Sequence, residues 1–180
     1  MITLFSQPIY VDQFDCSLFE LDYTIDTKWT SETKTSFQNH NKIVRGRDYL
    51  FKKLSDYTKQ ITKKSHEIFL KEVWANEYGK GEFQETHMHP FFHFSFVIFK
   101  DVPKDSGKFI LYNPALDFLY LYEDILEPYF VQKTWPLQEE NTILIFPAYL
   151  KHMVSAGKNK KKRITYSGNF NIKITNTKIN

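Results

Sequence analysis

Cysteine is nearly absent from this chain of 180 residues, in which Cys16 is the only example. A single thiol forms no disulfide within its own chain and lacks the partners of a cysteine-based metal cluster, so both kinds of scaffold are excluded. This usage indicates a reducing, cytoplasmic setting. Long hydrophobic runs are also absent, and the opening residues, MITLFSQPIY, lack a basic start followed by an apolar stretch. We therefore expect a soluble protein with no membrane partner.

Charge of one sign is not in strong excess either. The net charge of +3 is too small to identify a nucleic-acid-binding protein. Hydrophobic residues make up 42% of the chain and charged residues 25%, which excludes a disordered chain or a fibrous rod. The length is that of one domain, so we predict a single domain over residues 1–180, with its core at about 67–174 and an N-terminal strand and helix within 1–66.

Aromatic residues, by contrast, are abundant at 17% of the chain, with 17 Phe and 11 Tyr. Such residues fit the half-buried surface of a sheet. Residues 2–11 predict a first strand, and the polar segment 12–42 is expected to be loop or a weakly ordered arm. Seven further segments have a period near two and are separated by turn residues: 67–77, 91–100, 108–113, 129–136, 141–146, 152–155 and 163–174.

One amphipathic helix is predicted at about 47–64, before most of these strands. Its apolar positions recur at spacings of four, three and four residues: Leu50, Leu54, Tyr57 and Ile61. The segment 115–127 favours neither helix nor strand. Seven or eight strands together with one helix predict a mostly β protein, either a sandwich or a barrel.

Histidines are clustered in this sequence, since three of the six fall within THMHPFFHF. In a strand, His87 and His89 would point the same way with Cα atoms roughly 6.5–7 Å apart, so both rings could bind one metal ion. His152, which follows the later strand ILIFPAYLK, could supply a third ligand and leave positions open for a substrate and an oxidant, as in facial non-haem iron sites. His93 is a weaker candidate, because a histidine in a β protein is usually a hydrogen-bonded residue without a metal.

The segment RITYSGNFN carries the second signal. Alternation predicts a polar row on one face of this strand, formed by Arg163, Thr165, Ser167 and Asn169. Arg163 is suited to hold a carboxylate by two parallel N–H bonds, with the Thr165 hydroxyl adding a third. The alternative is that Arg163 ends the basic turn GKNKKKR as a solvated residue, and the strand pattern favours neither reading.

The order of these motifs resembles the iron(II)- and 2-oxoglutarate-dependent oxygenase superfamily. It is most similar to short hydroxylases of phages and marine bacteria that look like reduced relatives of prolyl 4-hydroxylases. The resemblance covers about residues 67–171. It rests on four segments in this order: WANEYGKGEFQETHMHP, HFSFVIFKDVPKDSGKFILYNP, TILIFPAYLKHMV and RITYSGNFN.

This resemblance implies a double-stranded β-helix, a jelly-roll barrel of the kind also found in cupins, buttressed by one or more α-helices. It implies an enzyme that uses Fe(II), 2-oxoglutarate and O2 to hydroxylate a substrate, with release of succinate and CO2. By position, His87, His89 and His152 would be the catalytic metal ligands. His89 stands where the superfamily more often has an aspartate.

The resemblance also implies a co-substrate site. Arg163, supported by Thr165, would bind the remote carboxylate of 2-oxoglutarate, while Asn76 and Trp74 would line the pocket from a neighbouring strand. The substrate is not readable from these motifs, and both a small molecule and a peptide stay open.

Three other functions fit parts of the sequence. A cupin-type metal enzyme or binder would use His93 as a further ligand and would not need 2-oxoglutarate. A non-enzymatic β-barrel could bind nucleic acid through the basic run Lys158–Arg163, although nucleic acid is not the partner we expect. A zinc hydrolase could use the same three histidines. A sheet-rich surface with many aromatic residues is also compatible with a homodimer.

Overall fold

The computed structural model describes residues 7–29, 33–39, 41–115, 133–134 and 136–175. Its strands are β1 (Tyr10–Gln13), β2 (Glu20–Asp22), β3 (Thr27–Lys28), β4 (Lys34–Thr35), β5 (Lys42–Arg45), β6 (His66–Tyr78), β7 (Gln84–His87), β8 (Phe94–Asp101), β9 (Phe109–Tyr112), β10 (Lys133–Thr134), β11 (Thr142–Pro147), β12 (His152–Val154) and β13 (Arg163–Ile174). Within these ranges the helix α1 spans Arg47–Ile61, and a 3-10 turn spans Cys16–Leu18. Within the described ranges, no helix has the length and apolar character that crossing a bilayer requires.

Two antiparallel sheets form the barrel. The larger sheet has the strand order β1-β11-β8-β13-β6-β4-β3, and the smaller sheet has the order β10-β9-β12-β7. From β6 to β9 and again from β10 to β13, successive strands alternate between the two sheets. This alternation defines a double-stranded β-helix and confirms the predicted mostly β, jelly-roll fold with a buttressing helix.

Apolar side chains form two separate cores. One lies inside the barrel, where Phe99 of β8 and Leu144 of β11 pack with Phe109 and Leu111 of β9. The other lies on the outer face of the larger sheet and is covered by α1. Gly168 of β13 lies within this outer layer, where an added Cβ would stand 2.4 Å from the Phe96 ring and 2.6 Å from the Glu72 carbonyl oxygen. The close approach of the Phe96 ring therefore requires glycine at this position.

The helix follows the predicted stripe for most of its length. Leu50, Leu54 and Tyr57 are buried against the outer core, whereas Ile61 is 36% exposed. The helix ends at Ile61 rather than near 64, and the Thr62 amide closes it by donating to the Thr58 carbonyl. It starts after Gly46, whose φ of 81° is in the left-handed region.

The predicted strand boundaries from β8 onwards hold to within a few residues, with two qualifications. Phe91 and Phe92 lie in a turn, so β8 begins at Phe94 rather than 91. Only Lys133–Thr134 of the predicted strand 129–136 is observed as strand, and part of that segment lies outside the described residues. The ambiguous segment 115–127 also lies outside them, apart from Ala115.

The N-terminal region contradicts the expectation of loop over 12–42. The strands β2 and β5 pair with each other, and β3 with β4 extends the larger sheet beside β6. These strands are two to four residues long, too short to show a period in the sequence, and they are stabilised by partners distant in the chain. The first strand is Tyr10–Gln13, displaced from the predicted 2–11, of which residues 2–6 lie outside the described residues.

Candidate metal and co-substrate site

Three histidines meet at one end of the smaller sheet. His87 ends β7 and His152 begins β12, and these two residues are direct partners in the antiparallel pairing of the two strands. Their ring centroids lie 4.2 Å apart, and the His89 ring lies 5.2 Å from each of the other two. One ligand nitrogen from each ring lies within 4.8 Å of the others, so the three nitrogens can surround a single metal ion.

The convergence of His87 and His89 has a different cause from the one predicted. β7 ends at His87, so His89 lies in the turn beyond it rather than on the same strand face. The turn is docked on the segment after β11, because the His89 amide donates to the Ala148 carbonyl at 2.8 Å and the Ala148 amide donates to the His93 carbonyl at 3.1 Å. These two hydrogen bonds position His89 beside His87.

Carbonyl oxygens orient two of the three rings. His87 Nδ1 lies 2.7 Å from the Glu85 carbonyl oxygen, and His152 Nδ1 lies 2.8 Å from the Leu150 carbonyl oxygen. A carbonyl only accepts hydrogen bonds, so each Nδ1 must carry the proton and each Nε2 must present its lone pair. This tautomer is the one that binds a metal through Nε2.

Burial keeps the three imidazoles neutral. It lowers the pKa of His87, lowers that of His89 to about 4 and lowers that of His152 well below its ordinary value. The neighbouring histidines act in the same direction on His89 and His152. Because a metal binds the neutral imidazole, the cluster is in its binding form at neutral pH without losing protons first.

The same pKa shifts predict how the stability of the metal-free protein depends on pH. In the unfolded chain the three histidines take up protons near pH 6.5, whereas in the folded protein they resist protonation to lower pH. We therefore expect the free energy of unfolding to fall as the pH falls from about 6.5 toward 4, by up to about 1.4 kcal/mol per pH unit for each histidine that stays neutral. Urea unfolding at pH 7, 6 and 5 measures this slope.

A matched pair of variants attributes that slope to the cluster. His89→Gln removes one of the buried titrating groups and is expected to make the slope shallower by about one proton. Leu137→Gln, at an exposed position outside the cluster, neither adds nor removes a titratable group and is expected to leave the slope unchanged. Stability that does not vary between pH 7 and 5 in the unmodified protein would contradict the prediction.

The remaining histidines do not join this cluster. His93 Nδ1 accepts a hydrogen bond from the Ile172 amide at 3.1 Å, and its own amide donates to Asn171 Oδ1. His66 contacts the Thr58 hydroxyl and the Lys64 carbonyl, and His40 lies outside the described residues. The ligand set that includes His93, on which the cupin alternative depends, is therefore not formed.

Arg163 is buried in the same barrel interior, with 1% of its surface exposed. Its guanidinium carbon lies 4.9 Å from the centroid of the Tyr78 ring and 5.5 Å from that of Phe99. Within the described part of the chain, no acceptor hydrogen-bonds to Nε, Nη1 or Nη2. Burial lowers the pKa of Arg163, an effect that the Tyr78 phenol partly offsets. The interpretation of Arg163 as a solvated turn residue is therefore wrong.

The basic run that precedes Arg163 keeps exposed lysines, but one of them is paired with an acidic side chain and one residue of the run is buried. Lys162 Nζ lies 2.5 Å from Glu77 Oε2, and the buried Asn159 side chain donates to the Tyr78 and Lys161 carbonyls. With Arg163 turned into the barrel, the cluster of cations on which the nucleic-acid alternative depends loses its last member.

Asn76 on β6 and Thr165 and Ser167 on β13 stand beside Arg163. Thr165 and Asn76 are direct partners in the sheet, and the Asn76 amide donates to the Ser167 hydroxyl at 3.4 Å. Asn76 Oδ1 and Trp74 Nε1 are buried and have no hydrogen-bond partner among the described residues. Arg163, Thr165 and Ser167 of the predicted polar face of β13 therefore line one cavity, together with the unsatisfied polar atoms of Asn76 and Trp74.

All seven residues that the sequence assigns to the site line one cavity: His87, His89, His152, Arg163, Thr165, Asn76 and Trp74. The cavity encloses about 360 Å³ including its mouth. Its apolar wall includes Phe109 and Phe146, whose ring centroids lie 5.3 and 5.1 Å from that of His152. These rings restrict the orientation of His152 and keep water from its buried side.

Sequence reasoning missed three aromatic residues of this neighbourhood: Tyr78, Trp29 and Phe37. Tyr78 continues the inward face of β6 after Trp74 and Asn76, and its hydroxyl donates to Gln84 at 3.0 Å. Alternation along β6 would have identified Tyr78. Trp29 and Phe37 carry no such signal, yet the Trp29 ring stacks 6.5 Å from His87 and 5.2 Å from Phe37.

The donor set fits a divalent iron ion together with a small dicarboxylate. Three neutral imidazoles suit a borderline metal such as iron, and three ligands leave positions open for other ligands. A buried guanidinium without a partner calls for an anion, and Thr165 stands next to it with a hydroxyl donor. Both expectations for the site therefore agree with the chemistry of the residues present.

A family model described as "Putative 2OG-Fe(II) oxygenase" matches residues 72–169, which is more than half of the chain. The chain belongs to this family. The matched segment contains every residue of the cavity that the sequence assigns to the site. This 2-oxoglutarate- and iron(II)-dependent oxygenase is accordingly an oxidoreductase that uses O2, as the resemblance implied, and the same match disfavours the three alternative functions.

Solved structures of such oxygenases share the fold. A prolyl-4-hydroxylase of Pseudomonas putida is 10% identical with a TM-score of 0.58, and the alignment covers 92% of this chain and 93% of that one. HygX of Streptomyces hygroscopicus, solved with nickel, 2-oxoglutarate and hygromycin B, is 9% identical with a TM-score of 0.59 over 92% and 83% of the two chains.

A third structure, an oxidoreductase of the 2OG-Fe(II) oxygenase family from Burkholderia pseudomallei, is 13% identical with a TM-score of 0.58 over 83% of this chain and 73% of that one. No curated protein sequence matches the chain significantly. At these identities the structural likeness establishes the double-stranded β-helix and nothing about the substrate.

Proposed function

We propose that this oxygenase hydroxylates a C–H bond of its substrate with iron held by His87, His89 and His152 and with 2-oxoglutarate held by Arg163. The observation that carries the assignment is the guanidinium of Arg163, which is buried without a partner in the same cavity as the three neutral imidazoles. A buried cation with no acceptor is costly unless an anion completes it. Thr165 adds a hydroxyl donor beside the guanidinium, and Asn76 and Trp74 line the cavity with further unsatisfied polar atoms.

Iron(II), when bound, supplies the redox chemistry of the family, in which O2 oxidises both 2-oxoglutarate, to succinate and CO2, and the substrate. The chain's own residues would bind the iron ion and orient its ligands. The Nε2 atoms of His87 and His152 are held toward the ion by the hydrogen bonds of Nδ1 to Glu85 and Leu150. The rings of Phe99, Phe109 and Phe146 exclude water from the buried end of the cavity.

His89 in place of a carboxylate changes the charge of the site. Three neutral ligands leave the full +2 charge on the ion, and the guanidinium of Arg163 adds another positive charge nearby. The dianion 2-oxoglutarate compensates both, so iron and 2-oxoglutarate are expected to strengthen each other's binding. This coupling follows from the absence of a carboxylate among the three converging ligands.

Anaerobic titration of the metal-free protein with iron(II) and then 2-oxoglutarate tests the assignment. A weak visible absorption band of the iron-bound co-substrate is expected, and admission of O2 is expected to yield succinate. A protein that binds iron with no band at saturating 2-oxoglutarate would contradict the proposal. The same titration, repeated at several 2-oxoglutarate concentrations, measures the expected coupling between the two ligands.

We extend the proposal to the chain as a whole. Residues 1–180 form one oxygenase domain, with a core at about 67–174. A cytoplasmic location is supported by the single thiol of Cys16, which is unpaired and whose pKa burial raises to about 11.

A further inference from the structure

A second cavity shares Trp74 with the metal site and, measured like the first with its open mouth included, has a volume of about 1040 Å³. One wall is five consecutive residues of β6, Leu70–Trp74, and the other is formed by residues 37–39, 41–43 and Arg47. Trp74 lines both this groove and the metal cavity, and its ring lies 5.8 Å from that of His89. The groove therefore runs along one strand and ends next to the candidate ligands.

Among the described residues, the edge of β6 that faces this groove has no strand partner over Leu70–Trp74. On its other side β6 pairs with β13 from Tyr78 to His66, whereas β4 pairs only with Glu77 and Asn76 of β6 within the described residues. The chain then makes one more contact, in which the Ser36 amide donates to the Ala75 carbonyl and the Ala75 amide donates to the Ser36 hydroxyl. Beyond Ser36 the chain diverges and opens the groove.

Val73 is the residue at which the open edge offers a hydrogen-bonding peptide unit. The peptide groups of Ala75 point toward β4, and alternate residues of a strand direct these groups to the same side, so the N–H and C=O of Val73 point into the groove. Among the described residues, β4 does not reach Val73, and the strand that does pair with it, β13, lies on the other side of β6. An unpaired edge of this kind is a template for an added strand.

The groove also has a charge preference. Lys42, Arg47 and Lys71 line it, against one acidic residue, Glu72. The Glu72 carboxylate already accepts a hydrogen bond from the Asn169 amide at 2.9 Å. The remaining field is positive, so the groove complements an acidic ligand. The β6 wall is five residues long, and a β-bulge leaves Lys71 without a partner in β13, so the regular part of this edge is the segment from Glu72 to Trp74 around Val73.

We propose that the groove binds an extended acidic peptide as an additional strand on β6, and that this peptide carries the side chain to be oxidised past Trp74 to the histidines. This inference rests on the proposed function and identifies the substrate class as polypeptide. A second copy of the chain is a poorer occupant, because a symmetric pairing of two β6 edges would bring like charges of Lys42, Arg47 and Lys71 together.

Fluorescence anisotropy with two peptide pools tests the proposal. The pools are fluorescein-labelled, randomised nine-residue peptides flanked by glutamates in one pool and by lysines in the other, and the protein is loaded with zinc to prevent turnover. We expect the acidic pool to bind at least about tenfold more tightly than the basic pool. Equal binding of the two pools, or no binding of the acidic pool, would overturn the inference.

Val73→Pro is the variant designed for this edge. Proline removes the N–H that faces the groove, and it leaves the β13 ladder intact because the Val73 peptide groups point away from β13. We expect it to weaken binding of the acidic pool by about tenfold or more. Val73→Thr keeps the N–H and the β-branched shape, and it is expected to bind like the unmodified protein. Unchanged binding by Val73→Pro would overturn the proposal.

Two further measurements keep the result interpretable. Amide hydrogen exchange of Val73 in the unmodified protein is expected to slow when the acidic pool is added. Unchanged exchange would overturn the added strand, and this measurement does not depend on whether Val73→Pro folds. A dimer that dissociates on Val73→Pro substitution would show that a second copy occupies the edge, which also overturns the proposal. If the unmodified protein binds iron and 2-oxoglutarate but not the acidic peptides, this inference alone is refuted. If it binds neither iron nor 2-oxoglutarate, the proposed function is refuted.

Discussion

Replacing Arg163 with methionine is expected to abolish 2-oxoglutarate binding while making the metal-free protein more stable. The two effects have opposite signs because the guanidinium is buried without an acceptor among the described residues. Charge-assisted hydrogen bonds are worth about 1.5–3 kcal/mol each, so losing two of them weakens 2-oxoglutarate binding by roughly 100-fold or more. Methionine has a similar volume and carries no charge to desolvate.

The stability gain is the more diagnostic half of this prediction. Removing an uncompensated buried charge is expected to stabilise the metal-free fold by about 1 kcal/mol or more, which corresponds to a rise in Tm of about 2–4 °C for a chain of this size. Anaerobic calorimetric titration with 2-oxoglutarate and thermal unfolding of the metal-free protein measure the two quantities. A residue with a purely structural role would instead lose stability when replaced.

Lys162→Met is the matched control. Lys162 precedes Arg163 in the chain, but its ammonium forms an exposed ion pair with Glu77, and 59% of its side chain is accessible to water. Exposed pairs of this kind contribute about 0–1 kcal/mol, so both 2-oxoglutarate binding and stability are expected to change little. Binding of 2-oxoglutarate by Arg163→Met with unreduced affinity would show that the anion is held elsewhere.

Replacing His152 with alanine is expected to prevent metal binding. His152 is the most buried member of the cluster, and its Nδ1 is fixed on the Leu150 carbonyl, so no other group among the described residues is placed to take over its role. Groups that only hydrogen-bond to a metal ligand are worth about 10- to 100-fold in metal affinity, so removal of a ligand itself is expected to cost at least about 100-fold. Metal content after anaerobic reconstitution and the metal-induced rise in Tm measure the loss.

His93→Ala provides the control for this substitution. It removes the same type of side chain from the same sequence cluster, but the His93 ring bonds the Ile172 amide rather than joining the three converging rings. We expect His93→Ala to keep the metal and to lose about 1 kcal/mol of stability with that hydrogen bond. Metal lost from His93→Ala as well as from His152→Ala would favour the cupin-like set of four ligands.

The two substitutions probe different halves of one cavity. Arg163 stands at the end of the cavity that we propose binds the anion, where its guanidinium carbon lies 4.9 Å from the centroid of the Tyr78 ring and 5.5 Å from that of Phe99. The histidines stand at the metal-binding end, where burial keeps them neutral. We therefore expect Arg163→Met to lose 2-oxoglutarate binding and keep the metal, whereas His152→Ala loses the metal itself.

The sequence by itself determined which residue types make up the site and on which face of its strand Arg163 lies. Alternation along β13 placed Arg163 and Thr165 on one side, because the direction of a side chain in a strand depends only on the local backbone. His87 and His89 are two residues apart, so the chain itself keeps them in one region of the fold. The position of α1 and of the later strands followed from equally local periods.

The tertiary structure alone decided which of these groups meet and which are left without a partner. His152 lies opposite His87 because β12 pairs with β7, and the register of strands distant in sequence leaves no trace in either segment. The turn that brings in His89 depends on its bond to Ala148, and the groove beside Val73 exists because the chain leaves β6 after Ser36. Strand pairing, and the presence of a hydrogen-bond partner for a buried polar group, both depend on two segments of the chain. A sequence pattern describes only one segment at a time.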